Sequence, residues 1–356
     1  MDRKTKNLLW PGNILRMGLL WTTALLYSYF KLFYKRLFGT LRSYPHVLPQ
    51  SDYKPVCIVT GATSGLGKST AEALSVQGYH VILAGRSFQC LSKTIAEIQH
   101  RHEGVSLKAI ELDLCSLESI LKFKDSVLDW LKAANLPSSL QLLVNNAGIL
   151  ATSQGFTSGG YDRMMASNYL GAFMLTHLLL PLLQSSSCPP RIVNVASFTH
   201  WCVQDIQVNE ANLAKGDVQN SSNLNWYQLA RIYESTKLYL ILFTFELHRQ
   251  LYIGNHLHPI SVTAADPGAV ETRILREVPN WLSFVIFKVM KYLCLMQSPT
   301  MGSRAIVDAA LAPPEASGKY FFGGGGRTIE PSTLSNDSEL AQKLWKASAS
   351  LLHIAT

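Results

Sequence analysis

Two groups of side chains in this 356-residue chain have the types and spacing for hydride chemistry. The segment Tyr233-Glu234-Ser235-Thr236-Lys237 puts a phenol and an ammonium four residues apart, on one face of a helix. The segment Thr60-Gly61-Ala62-Thr63-Ser64-Gly65-Leu66-Gly67 is a glycine-rich turn with Gly-x-x-x-Gly-x-Gly spacing. Such a turn lets the backbone approach a pyrophosphate closely and aims a helix N-terminus at it. A free tyrosine has a pKa of ~10 and is a poor acid or base at neutral pH. An ammonium one helical turn away favours the phenolate, as does an oxidised nicotinamide nearby. Tyr233 would then give a proton to a carbonyl oxygen during reduction, or take it from an alcohol during oxidation. Ser197, at the tip of a predicted strand, would hydrogen-bond the same oxygen.

The surrounding sequence supplies elements to hold these groups. Val56 to Val59 is a β-branched run typical of a buried parallel strand, and the helix formers from Lys68 to Gln77 end at Gly78. Further strands are predicted at His80 to Ala84, Leu107 to Leu112, Gln141 to Val144, Arg191 to Val195 and Ile260 to Ala264. Stretches long enough for helices separate them all. Strict alternation of strands and helices predicts an α/β fold, a Rossmann-type doubly wound parallel sheet flanked by helices. The glycine turn, Asp113 and Asn145-Asn146-Ala147-Gly148 fall at strand carboxyl ends, where such sheets bind ligands.

From residue 54 to about 350 the chain resembles the short-chain dehydrogenase/reductase family. The resemblance is carried, in order, by the glycine turn, Asp113, Asn145-Asn146-Ala147-Gly148, Asn168, Ser197, Tyr233 with Lys237, and Pro267-Gly268. It implies that Asn168 positions a water beside Lys237, and that Lys237 also holds the nicotinamide ribose hydroxyls. It places Gly61, Ser64, Gly65, Leu66, Gly67, Asn145, Ala147, Pro267 and Gly268 around the cofactor, with Asp113 at its adenine end. Asp266 stands where the family often has Asn or His. No metal is implied. A second class of reading is a non-catalytic relative that binds nucleotide as a redox sensor or scaffold. The intact Ser197, Tyr233, Lys237 and Asn168 argue against it.

Cofactor choice turns on the end of the second strand, where NAD binders usually carry an acid for the ribose 2′-hydroxyl. Here the chain has Gly85-Arg86-Ser87. A guanidinium fork at Arg86 and a hydroxyl at Ser87 suit a 2′-phosphate, so NADP(H) is expected, with NAD as the alternative.

The insertion between Ser197 and Tyr233 carries Trp201, Ile206, Leu213, Leu224, Trp226 and Leu229. A second apolar stretch, Trp281 to Met296, follows Pro267-Gly268 and reads either as a core helix or as a greasy lid. The lid reading implies a lipophilic alcohol or carbonyl substrate. Retinol-dehydrogenase-like and polyprenol-type members of the family share this layout, and the leader and insertion are most similar to plant oxidoreductases of the Forever Young type.

Residues 1–54 hold nine Lys/Arg and two Asp/Glu, so +7 of the formal net charge of +8 sits in the leader. That distribution does not point to nucleic acid. Met17 to Phe30 is uncharged but spans only ~21 Å as a helix. Ile14 to Tyr34 reaches the ~30 Å of a bilayer core if Arg16 and Lys31 snorkel. Trp10, Trp21, Tyr27, Tyr29 and Tyr34 suit an interfacial belt. The expectation is a membrane anchor over residues 1–42, spanning or lying in the plane, a linker over 43–55 and a catalytic domain over 56–356. The six cysteines form no metal or disulfide pattern, which fits a reducing compartment. The expected location is the endoplasmic reticulum membrane with the domain facing the cytosol, in contact with membrane lipid. Pairing as a homodimer through the long helices is left open.

Overall fold

The computed structural model describes residues 11–49, 53–216, 224, 226–253, 259–271, 274, 288, 290–292 and 295–354. In it the apolar runs become strands β1 (Val56–Thr60), β2 (His80–Gly85), β3 (Ser106–Glu111), β4 (Leu142–Asn145), β5 (Arg191–Val195) and β6 (Ser261–Asp266). A short parallel pair, β7 (Ala269–Val270) with β8 (Met296–Gln297), stands apart. The main sheet is completed by β9 (Tyr320–Phe322), giving the order β3-β2-β1-β4-β5-β6-β9 with every pairing parallel. Strands β1, β4, β5 and β6 are buried along their whole length, which is why they read as continuous apolar runs. Within the main sheet, β9 is the strand that the sequence did not announce, and the short pair β7 and β8 was not announced either.

Nine helices are described: α1 (Pro11–Leu37), α2 (Gly65–Val76), α3 (Phe88–Arg101), α4 (Leu117–Ala133), α5 (Arg163–Gln184), α6 (Glu210–Lys215), α7 (Trp226–Ile253), α8 (Pro299–Leu311) and α9 (Ser338–Leu351). Alternate residues of β1 feed opposite faces of the sheet. Val56 and Ile58 join the core under α4, α5, α7 and α9, while Cys57 and Val59 join the core under α2, α3 and α8. β1 pairs with both β2 and β4, so the strand order reverses there and opens the crevice at their carboxyl ends.

Among the described residues one helix, α5, is long and apolar enough to cross a membrane, and it is 67% buried inside the domain. α1 is long but falls short in hydropathy. Its inner stripe, Met17, Ala24, Leu25, Ser28 and Leu32, is buried against the catalytic domain. Three polar contacts pin it there. Trp21 Nε1 donates to Glu234 Oε1 at 2.6 Å, Trp201 Nε1 to Ser28 Oγ at 3.1 Å, and Gln297 Nε2 to the Tyr29 hydroxyl at 2.8 Å. The segment expected as a free linker is also tied down: Tyr44 N donates to Gly326 O and Val47 N to Leu311 O.

Most of the described apolar residues of the insertion pack as core. Ile206, Leu213, Leu224, Trp226 and Leu229 are all buried. Of the stretch Trp281 to Met296, residues 281–287, 289, 293 and 294 lie outside the described residues, as do Trp10, His256 and His258.

Candidate active site

The cofactor crevice is built by the turn between β1 and α2. Gly61 takes φ +67° and Gly65 φ +54°, and a Cβ on Gly61 would stand 2.9 Å from the Ala147 Cα. The turn thus needs bare backbone, and it points the N-terminus of α2 into the crevice. Gly61, Ser64, Gly65, Leu66, Gly67, Arg86, Asp113 and Ala147 all line it. Thr60 fixes the opposite wall: its hydroxyl accepts from Asn146 N at 2.9 Å and Ala147 N at 3.0 Å. These features fit a dinucleotide, with exposed Arg86 at the adenosine end.

Two expected cofactor residues, Asn145 and Ser87, are not among the residues that line this crevice. Asn145 turns into the sheet, where Nδ2 donates to Thr176 Oγ1 and Asn194 Oδ1 at 2.9 and 2.8 Å. The crevice is lined instead by its neighbour Asn146, whose Nδ2 donates to Thr60 O at 2.7 Å. Ser87 caps α3 by accepting from Cys90 N.

A second cavity of about 200 Å³ opens from the first at Leu66, Asn146 and Gly148. Here the structure brings together Ser197, Tyr233, Lys237, Pro267 and Gly268. Ser197 stands two residues past β5 and caps a tight turn by accepting from Thr199 N. His200 Nδ1 donates to Ser197 O at 2.7 Å, while its Nε2 accepts from Ser332 N, which fixes both the imidazole and the serine backbone. Tyr233 and Lys237 face the cavity one turn apart on α7, with Nζ 5.6 Å from the phenol ring centre. Lys237 Nζ also donates to Val195 O at 2.9 Å.

Asn168 lies behind Lys237, on a π-helical turn (Ala166–Leu170) inside α5. The turn lets its amide clasp Ile149: Oδ1 accepts from Ile149 N at 2.8 Å and Nδ2 donates to Ile149 O at 2.9 Å. Nδ2 also donates to Thr236 Oγ1. A Cβ on Gly148 would stand 3.5 Å from both Asn168 Oδ1 and Lys237 Nζ, in ordinary contact with the two polar groups it would separate from the crevice.

Burial governs the charges. It pushes the Tyr233 phenol up, the nearby Asp266 carboxyl adds to this, and a hydrogen bond with Ser197 pulls it back. Burial lowers the Lys237 amine to about 8, with Asp266 opposing. Asp266 itself is raised to about 6 by burial, although Tyr320 donates to Oδ2 at 2.6 Å and Gly268 N to Oδ1 at 2.8 Å. The residue that departs from the family's usual Asn or His is therefore the buried counter-charge of Lys237.

Glu234, between the two reacting residues in sequence, faces the other way and accepts from Trp21 of α1. Burial raises its carboxyl to about 7, with the Trp21 bond and Arg231 opposing. The folded state therefore holds the proton more tightly than the unfolded chain. Its contribution is full below the unfolded carboxyl range and is lost as pH rises through about 7. A Glu234→Gln variant should flatten the fall in thermal midpoint between pH 5 and 8, a difference on the order of 3 kcal/mol. An unchanged slope would mean that Glu234 is ionised throughout.

His200, Glu234 and the α1 residues Met17, Gly18, Trp21 and Thr22 come to the site without having been expected there, and Asn146, quoted only as part of its motif, lines the crevice. Of these only Asn146 carried a visible signal, as part of the motif Asn145-Asn146-Ala147-Gly148.

The short chain dehydrogenase family pattern matches residues 55–202. Human polyprenol dehydrogenase is 32% identical over 302 residues, covering 83% of this chain and 84% of that protein. Mouse retinol dehydrogenase 13 is 32% identical over 306 residues, with 84% of each chain covered. The Arabidopsis thaliana dehydrogenase/reductase SDR family member FEY is 31% identical over 313 residues, covering 83% of this chain and 78% of that one. A crystal structure of an uncharacterised protein from Mycobacterium paratuberculosis superposes with TM-score 0.61 at 29% identity, covering 86% and 96%. By identity, coverage and fold the chain belongs to the short-chain dehydrogenase/reductase family of oxidoreductases acting on CH–OH groups, close to its retinol dehydrogenase, polyprenol dehydrogenase and FEY members.

Proposed function

We propose that the protein is an NADP(H)-dependent oxidoreductase that interconverts an alcohol and a carbonyl on a lipophilic substrate, retinoid-, polyprenol- or steroid-like, at a membrane surface. The observation that carries this reading is the wall of the reacting cavity. Around Ser197, Tyr233 and Lys237 stand Met17, Trp21, Leu150, Phe198, Trp226, Val270, Met290 and Met296, an almost wholly apolar lining. The names of the polyprenol and retinol dehydrogenases among its relatives agree with it.

The nicotinamide, when bound, supplies or accepts the hydride. Tyr233, held neutral by burial, gives its proton to the carbonyl oxygen as charge develops there. Ser197 donates a hydrogen bond to the same oxygen, and His200 keeps Ser197 in place. Lys237 is an ammonium below about pH 8 and would hold the ribose beside Gly148. The apolar wall excludes water from the reacting atoms, which strengthens each of these interactions.

Arg86 would pair with the 2′-phosphate. An Arg86→Ala variant should bind NADPH roughly 10- to 100-fold more weakly, the worth of a charged hydrogen bond, and NADH within about 2-fold of the native protein. Nicotinamide fluorescence on the full chain in detergent reads both. A preference for NADH in the native protein would overturn the cofactor assignment, and no binding of either would favour the scaffold reading.

For the membrane, α1 carries a second apolar stripe. Leu19 (67% exposed), Leu26, Phe30 (56%), Phe33 (61%) and Leu37 (66%) face outward, on the side away from the domain. A helix covered on one face and greasy on the other suits an in-plane anchor, with the basic leader drawing it to anionic lipid. We place it on the cytosolic face of the endoplasmic reticulum.

A further inference from the structure

The reacting cavity is small for a lipid. At about 200 Å³ it lies below the 300–1,000 Å³ of sites that engulf drug-sized ligands, so a long substrate can put only its head inside. Its tail needs a way out. Met17, Gly18, Trp21 and Thr22 of α1 form one wall. Among them Gly18 is exposed, and among the described residues a Cβ there would meet nothing within 4 Å. No tight packing therefore demands a glycine at this place, although glycine in a helix interior costs about 1 kcal/mol against alanine. The Thr22 hydroxyl donates back to Gly18 O at 2.8 Å, so the polar groups at this opening are used within the helix. Each helical residue turns about 100° from the last. Gly18 accordingly stands between buried Met17 and outward Leu19, where the inner and outer stripes of α1 meet.

We propose that Gly18 sets substrate specificity: the space where its side chain would be is the portal through which the tail of a chain-like apolar substrate leaves the cavity for the outer stripe of α1. The proposal rests on the reading of the substrate as a lipophilic alcohol or carbonyl. On it, α1 is a wall of the active site as well as an anchor, and chain length is sensed at one helical position.

The test uses the full chain in detergent with NADPH and two aldehydes, geranial with two isoprene units and geranylgeranial with four. A Gly18→Trp variant should keep kcat/KM for geranial within about 3-fold and lose about 10-fold or more for geranylgeranial, mostly through KM. A Gly18→Ala variant, whose methyl group leaves the opening clear, should behave as native with both. Unchanged NADPH fluorescence binding certifies that each variant is folded. Equal losses on both aldehydes in folded Gly18→Trp protein, or no loss on either, would overturn the portal while leaving the proposed reaction standing. If the native protein reduces neither aldehyde nor retinal, the proposed reaction falls and the portal with it. If the tryptophan variant is unfolded, Gly18→Leu must show the same chain-length selectivity or the portal is rejected.

Discussion

A Tyr233→Phe variant is expected to lose about 10²- to 10⁴-fold in kcat while binding nucleotide as tightly as the native chain. The substitution removes one oxygen from a ring that is otherwise held by packing. The Trp21 ring lies 5.9 Å from the Tyr233 ring, and that contact survives in phenylalanine. The phenol's hydrogen bond is to Ser197, whose backbone is held independently by His200. Lys237 keeps its bond to Val195 O and its place beside Asn168. The variant should therefore fold, and its defect should appear in the chemical step alone. In the reduction direction Tyr233 is the described group best suited to give the proton, since Lys237 donates to Val195 O and the other polar side chains of the wall, Thr22, Asn146, Ser197 and Thr199, are weaker acids than a phenol. Single-turnover reduction with NADPH and retinal separates the steps. A residual rate within tenfold of native would mean that the proton comes from another source, and would remove Tyr233 from the mechanism. Loss of nucleotide binding along with rate would mean that the phenol has a structural task that the geometry does not show.

What could be read from sequence follows how local each cause is. Five strands were legible because β1, β2, β4, β5 and β6 are apolar runs buried by crossover helices, and edge strand β3 because its apolar residues alternate with polar ones. β9 was not, since three residues beside a glycine-rich turn become a strand only by pairing with β6. Ser197, Tyr233 and Lys237 were legible because their chemistry needs those side chains at set places on one strand end and one helix face. Asn145 and Asn146 show the limit of the same method. The motif includes both, but successive residues leaving a strand point opposite ways, so one joins the sheet's internal network and the other lines the crevice. Ser87 was read only as a phosphate contact, and its hydroxyl caps α3 by accepting from Cys90 N, a bond that the sequence reading did not consider. α1 was the least legible element. Apolar on two faces, it reads as an anchor, and its inner face is explained only by Glu234, Trp201 and Gln297, each more than 170 residues away. The role of α1 as a cavity wall is a tertiary fact.

The sign of a glycine-to-alanine change shows how the same residue type does opposite work at the two ends of this site. Gly67 and Gly18 both lie in helices, and neither takes a positive φ. On propensity alone, each alanine would stabilise its helix by about 1 kcal/mol. At Gly18 no atom of the described residues opposes this, and a small gain in thermal midpoint is expected. At Gly67 the new methyl would run into the Gly61 carbonyl oxygen and Asn146 Nδ2. The first of these is backbone in a turn already at φ +67°, and the second is tied to Thr60 O, so neither can withdraw cheaply. Overpacking of this kind costs about 1–3 kcal/mol, enough to outweigh the propensity gain and lower the midpoint by roughly 2–10 °C. The larger effect is expected on binding. Relief of the clash must move α2 away from the crevice or open the turn, and either displaces the backbone N–H groups that face a pyrophosphate. NADPH affinity in Gly67→Ala should fall at least about tenfold, with NADH falling in parallel because the pyrophosphate is common to both. That parallel loss distinguishes it from Arg86→Ala, which acts on NADPH alone. Native affinity in a folded Gly67→Ala protein would show that the close approach of Gly67 to Gly61 serves helix packing only, and that the cofactor sits elsewhere in the crevice.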